Sequence, residues 1–382
     1  MKKLIFLFLL TVSVALFWLI EPFAYNPFYT PHIPVIGSDG NFACEQDSVG
    51  LNENVEDLLN GHMVSNDFLG VSAGVFKSGC GSYIASSGYS DKRNVTKFTP
   101  DTVTTISSIA KPMTAIAIMQ LHENGLLNLD TPVQEYLPDL PKMRYRVTVR
   151  QILRQSNTMP DNAFESEPMS FSHFDPISSA TNAMLDRGLV NEYRENAASC
   201  IYDLSILVKV IESVSNSTYS DYLSRHIWQT AGMVNTSLES RYTGANESKL
   251  YVKAGSLFLR SPYKHIAERN GAFDIRSSAN DLLKFGQAIL NFELLSKDTL
   301  EKMFEITSNY GYYDTNLQEK GYSLYKTTQL GRVISHDWNQ PGAGAYFQVL
   351  LDKGVVSVAI TNAVGTKDEA LTLSTNIGNL VI

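Results

Sequence analysis

Cysteine is scarce in this chain, with only Cys44, Cys80 and Cys200 in 382 residues. That excludes a small disulfide-built scaffold, and no pair stands at the Cys-x-x-Cys spacing of a zinc or dithiol centre. Cys44 and Cys80 can pair and leave Cys200 over, or all three can be thiols; both readings stand at this point. Charge is also sparse, at 18% of residues with a formal net charge of −8. There is no basic run beyond the N-terminus, which excludes a general nucleic-acid partner. Gly-x-Gly-x-x-Gly and Gly-x-x-x-x-Gly-Lys-Ser/Thr loops are absent, so nothing cradles a nucleotide; no His-Glu-x-x-His occurs and the seven histidines are scattered. No cofactor and no metal are expected. Internal repeats and low-complexity tracts are missing too.

What the chain does hold is enough apolar sequence, 44%, for a large core. It also holds one uncharged, largely apolar run. Lys2 and Lys3 precede Leu4 to Ile20, which Glu21 ends. Seventeen helical residues reach roughly 25 Å, just short of a hydrocarbon core. Ser13-Val14-Ala15 resembles a small-x-small cleavage site, but Leu16-Phe17-Trp18-Leu19-Ile20 carries the run past it. An uncleaved signal anchor over residues 1–20 is therefore favoured over a removed signal peptide. The lysines would keep the N-terminus cytoplasmic and the rest extracytoplasmic, in the periplasm, or secreted if cleavage occurs. Residues 21–50, rich in Pro, Tyr and Phe from Pro22 to Gly37, read as a tether, and 51–382 as the folded domain. Asn-x-Ser/Thr sequons stand at Asn94, Asn216, Asn235 and Asn246.

Within the domain the hydrophobic period changes along the chain. Val55–Leu69 reads as a helix, Leu69–Lys77 and Gly81–Gly88 as paired strands about Ser78-Gly79. Helical spacing returns from Ile109 to Asn124-Gly125, in Ile201–Val214 and in Asp281–Asn291, the last with Ser278 or Asn280 as cap. Ala345–Asp352 and Val355–Thr361 read as a hairpin about Lys353-Gly354, and Glu369–Val381 as a closing helix. Strands at both ends with helices between predict an α+β domain: one sheet built from the two termini, with a helical insertion over roughly 112–270.

Chemistry enters at Ser108-Ile109-Ala110-Lys111. The serine follows a strand and a turn, Phe98-Thr99-Pro100-Asp101, and opens an amphipathic helix whose apolar residues recur at Met113, Ile116 and Met119. Pro112 is tolerated because it falls in the first turn. Residues i and i+3 share a helix face, so the Lys111 amine can reach the Ser108 hydroxyl, and a desolvated lysine can serve as its base. The helix N-terminus disfavours a charged lysine and offers N–H groups to an oxyanion. Ser261–Lys264 and Ser323–Lys326 share the spacing without that context.

The surrounding segments resemble the serine β-lactamase and penicillin-binding-protein-like hydrolases, nearest their class C branch. Phe98–Thr102 with Ser108–Ala115 is similar to the family's nucleophile region, and Gly125–Val133 with Tyr136-Leu137-Pro138 to its next segment. Val147–Leu153 and Ser277–Leu282 resemble two later helix starts. The likeness runs from about residue 53 to 382. It implies a five-stranded antiparallel sheet flanked by helices, an all-helical insertion, and acyl transfer from a small-molecule or peptide substrate. It makes Ser108 the nucleophile and Lys111 the proton acceptor or its helper.

Two family motifs depart from the pattern. Counting back from Glu212, Tyr-x-Asn falls on Ser199-Cys200-Ile201, with Tyr202 the nearest tyrosine. The Lys/His-x-Gly strand motif falls on His336-Asp337-Trp338: the histidine matches and a tryptophan stands in place of the glycine. If the register holds, the resemblance makes the N–H of Asn339 the second oxyanion donor, beside that of Ser108. By resemblance His336 is a catalytic candidate, and Ser199, Tyr202, Trp338 and Asn339 are candidate substrate contacts. A membrane-tethered hydrolase of peptidoglycan peptides, β-lactams or small esters is expected. A catalytically impaired binding protein, or a sensor that is acylated and not released, is the alternative.

Overall fold

The computed structural model describes residues 8–13, 36–37, 42–44, 50–65, 68–138, 146–153, 201–238, 246–254, 257–261, 275–304, 325–340, 342–364 and 368–382. In chain order the strands are β1 (Ile36–Gly37), β2 (Gly70–Lys77), β3 (Gly81–Asp91), β4 (Thr96–Lys97), β5 (Thr104–Thr105), β6 (Ser237–Leu238), β7 (Tyr251–Ala254), β8 (Leu257–Arg260), β9 (Ile275–Ser277), β10 (Tyr325–Thr328), β11 (Gly331–Gln340), β12 (Ala343–Leu350), β13 (Val355–Thr361) and β14 (Ala363–Val364). The helices beyond residue 50 are α1 (Leu51–Val64), α2 (Ala110–Glu123), α3 (Val133–Tyr136), α4 (Val149–Leu153), α5 (Ile201–Ser215), α6 (Tyr219–Leu223), α7 (Ala279–Leu290), α8 (Lys297–Lys302) and α9 (Asp368–Asn379).

The main sheet runs β1-β3-β2-β13-β12-β11-β10, antiparallel throughout, with β4 also paired to β3. The five expected strands are its centre, β3 to β11. Short strands at either edge widen it beyond five. Its middle seam joins the two ends of the chain, with Val71 opposite Thr361 and Lys77 opposite Val355.

Side chains alternate across this sheet, and both faces are buried. Val71, Ala73, Val75, Val355 and Ala359 meet α1, through Leu51, Val55 and Leu59, and α9, through Leu373 and Ile377. Phe347, Val349, Val356, Val358 and Ile360 face the other way, against α2 and α7. Gly286 allows α7 to lie close on the sheet, because a Cβ there would collide with the Val356 side chain. The cap of α7 is Ser278, whose hydroxyl accepts from the Asp281 N–H; Asn280 caps nothing here.

Three expectations need correction. The helix after Ser108 is not amphipathic: ten of its fourteen residues are buried, Ile116, Ala117 and Ile118 completely. It is wedged between the sheet layer and the helical region, and a helix apolar on all sides is a buried one. The insertion is not all-helical either: β6, β7 and β8 lie within it, β7 and β8 in a second sheet completed by β14, and β6 in a third with β5 and β9. Finally, the expected tether is partly structural. Ile36 and Gly37 pair with Ser86 and Ala85 on β3, the Ala43 N–H donates to the Cys80 carbonyl at 2.7 Å, and Cys44 is disulfide-bonded to Cys80. The folded body therefore begins before residue 51. Cys200 lies outside the described residues.

Residues 8–13 are helical and exposed, and no helix among the described residues is long and apolar enough to cross a membrane. The Cys44–Cys80 bridge closes a loop of sequence separation 36. Loop-closure entropy makes that worth about 4 kcal/mol. Denaturant unfolding with and without reductant should differ by that order; a difference under about 1 kcal/mol would mean that the bridge does not constrain the unfolded chain.

Candidate active site

Ser108 is delivered by a short strand gripped on both sides. On one side β5 pairs with β9, Thr104 opposite Ser277 and Thr105 opposite Arg276, and the Ile106 N–H donates to the Ile275 carbonyl at 3.0 Å. On the other side the Val103 N–H donates to the Asn246 carbonyl at 3.0 Å, and the Ser248 N–H returns a bond to the Val103 carbonyl at 2.9 Å. Arg276 and Glu247 form an ion pair that ties the two sides together. After Ile106 the backbone tightens into a 3₁₀ turn over Ser107–Ile109, and α2 follows without a break.

Ser108 is 7% exposed, so a small opening reaches it. The first turn of α2 holds no acidic residue and Ile109 offers no side-chain cap, so the positive end of that helix is not offset at its start. Lys111, in the first turn, is half-buried. The serine–lysine spacing is thus realised on a buried helix start.

The 3₁₀ turn packs directly on β11 and β12. That contact brings the first and third sequence-predicted elements together. On β11, His336 stands opposite Phe347 and two residues from Ile334. Ile334 and Phe347 both belong to the core on the α2 side of the sheet, so strand alternation puts His336 on the face that carries the Ser108 turn. Its side chain is 14% exposed. The Nδ1 atom is 2.6 Å from the Asp337 carbonyl oxygen. A carbonyl only accepts, so Nδ1 carries a proton and donates to it. The Trp338 backbone pairs with Ala345 and that of Asn339 with Gly344, which continues the strand past the turn.

The second motif region is placed only in part. Helix α5 packs against α2, and Tyr202 lies in its first turn. Ser199 is outside the described residues. Below them α2 is pinned at Thr114, whose hydroxyl donates to the Ala110 carbonyl at 2.9 Å and accepts from the buried Tyr219 hydroxyl at 2.6 Å.

Sequence reasoning missed the polar bracket behind the nucleophile strand. Asp281 is fully buried. Its Oδ2 accepts the Asn235 N–H at 2.7 Å and the Thr236 hydroxyl at 2.8 Å, and Lys284 Nζ stands 3.9 Å from its Oδ1. Burial pushes its carboxyl above the usual range, opposed by the Thr236 and Asn235 bonds and by Lys284. The one available signal was Ser278-x-x-Asp281, read as a helix cap and no more. Among the described residues no cluster of His, Cys, Asp and Glu is arranged to hold a metal ion.

Comparison with known proteins agrees with this fold. Residues 55–381 match the family model described as Beta-lactamase. The chain belongs to the beta-lactamase family. Members of that family are serine hydrolases. Penicillin-binding protein 4* of Bacillus subtilis strain 168 is 24% identical over 307 residues, covering 73% of this chain and 65% of its own length. The putative penicillin-binding protein PbpX of the same strain is 29% identical over 227 residues, 59% of this chain and 56% of that protein. The chain thus spans less than two thirds of the length of these curated relatives. Among solved structures, the D-amino acid amidase of Ochrobactrum anthropi SV3 superposes with a TM-score of 0.72 at 23% identity, covering 87% of this chain and 96% of that one. The octameric penicillin-binding protein homologue of Pyrococcus abyssi gives 0.71 at 23%, covering 85% and 77%. These structures confirm the beta-lactamase-like fold. The class C branch is compatible with the matches, which do not single it out.

Arg276 (6% exposed) and Glu247 (19%) form the most buried ion pair beside the nucleophile strand. Removing one partner of such a pair strands the other charge at a cost of about 3 kcal/mol. Glu247→Ala should therefore lower stability by that order in chemical denaturation; a loss below about 1 kcal/mol would show the pair to be solvent-screened.

Proposed function

We propose that this chain is a membrane-tethered, extracytoplasmic serine hydrolase that opens amide or ester bonds through an acyl-enzyme. The observation that carries the reading is the seat of Ser108: a tight turn, fixed by hydrogen bonds from both flanks, starting a buried helix with Lys111 one turn on and packed on the strand that bears His336. The Ser108 Oγ attacks the substrate carbonyl carbon while its proton passes to the Lys111 amine. The carbonyl oxygen becomes an oxyanion held by the N–H groups of Ser108 and Asn339. Collapse of that intermediate expels the amine or alcohol, which takes the proton from Lys111. Water then attacks the acyl-serine by the reverse path, giving the acid and free Ser108. No cofactor takes part in these steps.

Peptide amides of cell-wall stems, β-lactams and small esters are the substrate classes, supported by the penicillin-binding names of the relatives. Tethering is supported by Lys2-Lys3 ahead of the apolar run, and an oxidising compartment by the Cys44–Cys80 bridge. A second reading, a binding or sensor protein with the same fold, is favoured by Trp338 in place of glycine and by Ser199-Cys200-Ile201 in place of Tyr-x-Asn.

Intact mass after exposure to a penicillin and to a fluorophosphonate separates the readings. The hydrolase should gain one equivalent of adduct, absent from Ser108→Ala and slowed by at least about a hundredfold in Lys111→Ala. An adduct from penicillin that persists for hours points to the sensor. A folded protein that takes up neither probe would refute the nucleophile assignment.

A further inference from the structure

We propose that Asp281 is a positioning residue for Ser108, holding the strand that delivers the nucleophile through two hydrogen-bonded routes. The proposal rests on the reading of Ser108 as nucleophile. The first route is a row of hydroxyls across the smallest sheet. The Thr236 hydroxyl donates to Asp281 Oδ2 and lies 2.7 Å from the Ser277 hydroxyl. Ser277 is the strand partner of Thr104, and β9 also takes the Ile106 N–H at Ile275. The second route runs through Asn235. Its backbone N–H donates to Asp281 Oδ2, and its side-chain amide donates to Asp101 Oδ1 at 3.2 Å. Asn280 adds a bond from its side chain to the same Asp101 oxygen at 2.9 Å, and one from its N–H to the Pro100 carbonyl at 3.1 Å. Both routes end within residues 100–106, immediately ahead of the 3₁₀ turn.

Their common origin is one carboxylate oxygen, buried at a cost that packing alone would not require. A leucine-like residue would fill the same space between α7 and the small sheet. An oxygen acceptor, which leucine lacks, makes two short bonds to groups on a different segment. Asp281 thereby fixes Asn235–Thr236 against β9, and β9 against the nucleophile strand. A shift of about 1 Å in that strand would cost on the order of a hundredfold in a reaction whose donors and nucleophile must align. The same geometry bears on the Asn235 sequon: its side-chain nitrogen is committed to Asp101, so glycosylation there would break the bracket.

The test uses the full chain with a fluorophosphonate as probe, read as the second-order rate of Ser108 labelling, beside amide hydrogen exchange. Asp281→Ala should label about tenfold or more slowly. Asp281→Asn keeps an acceptor oxygen in place and should recover to within about threefold of wild type. Exchange at Val103 and Ile106 should accelerate in Asp281→Ala, while that of Gly81–Asp91 on the main sheet stays unchanged. Thr236→Val, nearly isosteric, supplies the same readouts if Asp281→Ala does not fold, with slower labelling expected again. Tyr83→Phe removes a bond to Glu56 on the far face of the sheet and is the control for lost stability without lost labelling. Wild-type labelling by Asp281→Ala, or exchange that rises everywhere in step with labelling, would overturn the proposal. If wild type itself takes no label, the nucleophile reading fails separately, and exchange at Val103 and Ile106 still decides whether Asp281 holds the strand.

Discussion

The antiparallel seam between Gly70–Lys77 and Val355–Thr361 is the constraint on which the rest of the molecule depends. It pairs segments from opposite ends of the domain, so the chain between them must be enclosed before the sheet has a centre. Such non-local pairing is slow to form, because its loop entropy is lost before its contacts are gained. Once formed, it presents two apolar faces. One is covered by α1 and α9, which lie next to the paired strands in sequence; the other must wait for α2 and α7, from the long stretch of chain between them. Ser108 stands in the 3₁₀ turn that leads into α2. Its position therefore follows from how the insertion docks on the seam, and the direct packing of the Ser107–Ile109 turn on β11 and β12 is the contact where that docking is set.

Around that contact the structure accepts costs that a merely stable fold would avoid. A buried carboxylate at Asp281, a buried guanidinium at Arg276 paired with Glu247, and a tyrosine hydroxyl at Tyr219 all lie beside α2 or the strand leading into it. Ion pairs in such places are at best near neutral for stability when set against apolar packing. What they supply is direction: each bond joins one particular pair of atoms, whereas apolar contact tolerates sliding. The polar groups therefore define the path of residues 100–114 and the apolar core supplies the adhesion.

Legibility in the sequence followed the range of the interactions. Elements written in local period were clear: Ile201–Ser215, Val355–Thr361 and α7 fall within two residues of where hydrophobic spacing put them. The burial of α2 was not, since Met113, Ile116 and Met119 mark one face and give no notice that Ala115, Ala117 and Ile118 are covered by a second layer. Nor was the edge strand Ile36–Gly37, too short to show a period. Family motifs single out Ser108, Lys111 and His336, and the structure packs the Ser108 turn on the strand that bears His336. Asp281 and Asn235 were not legible, because their meaning lies in one oxygen meeting two donors from a segment far away in the chain.

The departures at Trp338 and at Ser199-Cys200-Ile201 bear on how much chemistry the Ser108–Lys111 pair must carry alone. A missing proton-transfer group accounts for roughly 10²–10⁴ in rate, or about 3–5 kcal/mol of barrier. The remaining devices are electrostatic and positional: a helix start without an acidic neighbour, a nucleophile only 7% exposed, and a strand clamped on both sides. Such preorganisation is the larger share of acyl-transfer catalysis, and it acts whether the proton leaves through a tyrosine or through lysine and water. His336 adds to it, since its Nδ1 bond to the Asp337 carbonyl fixes the ring on the Ser108 side of the sheet. On the proposed reading, the loss of one relay group slows the proton but leaves standing the arrangement around Ser108.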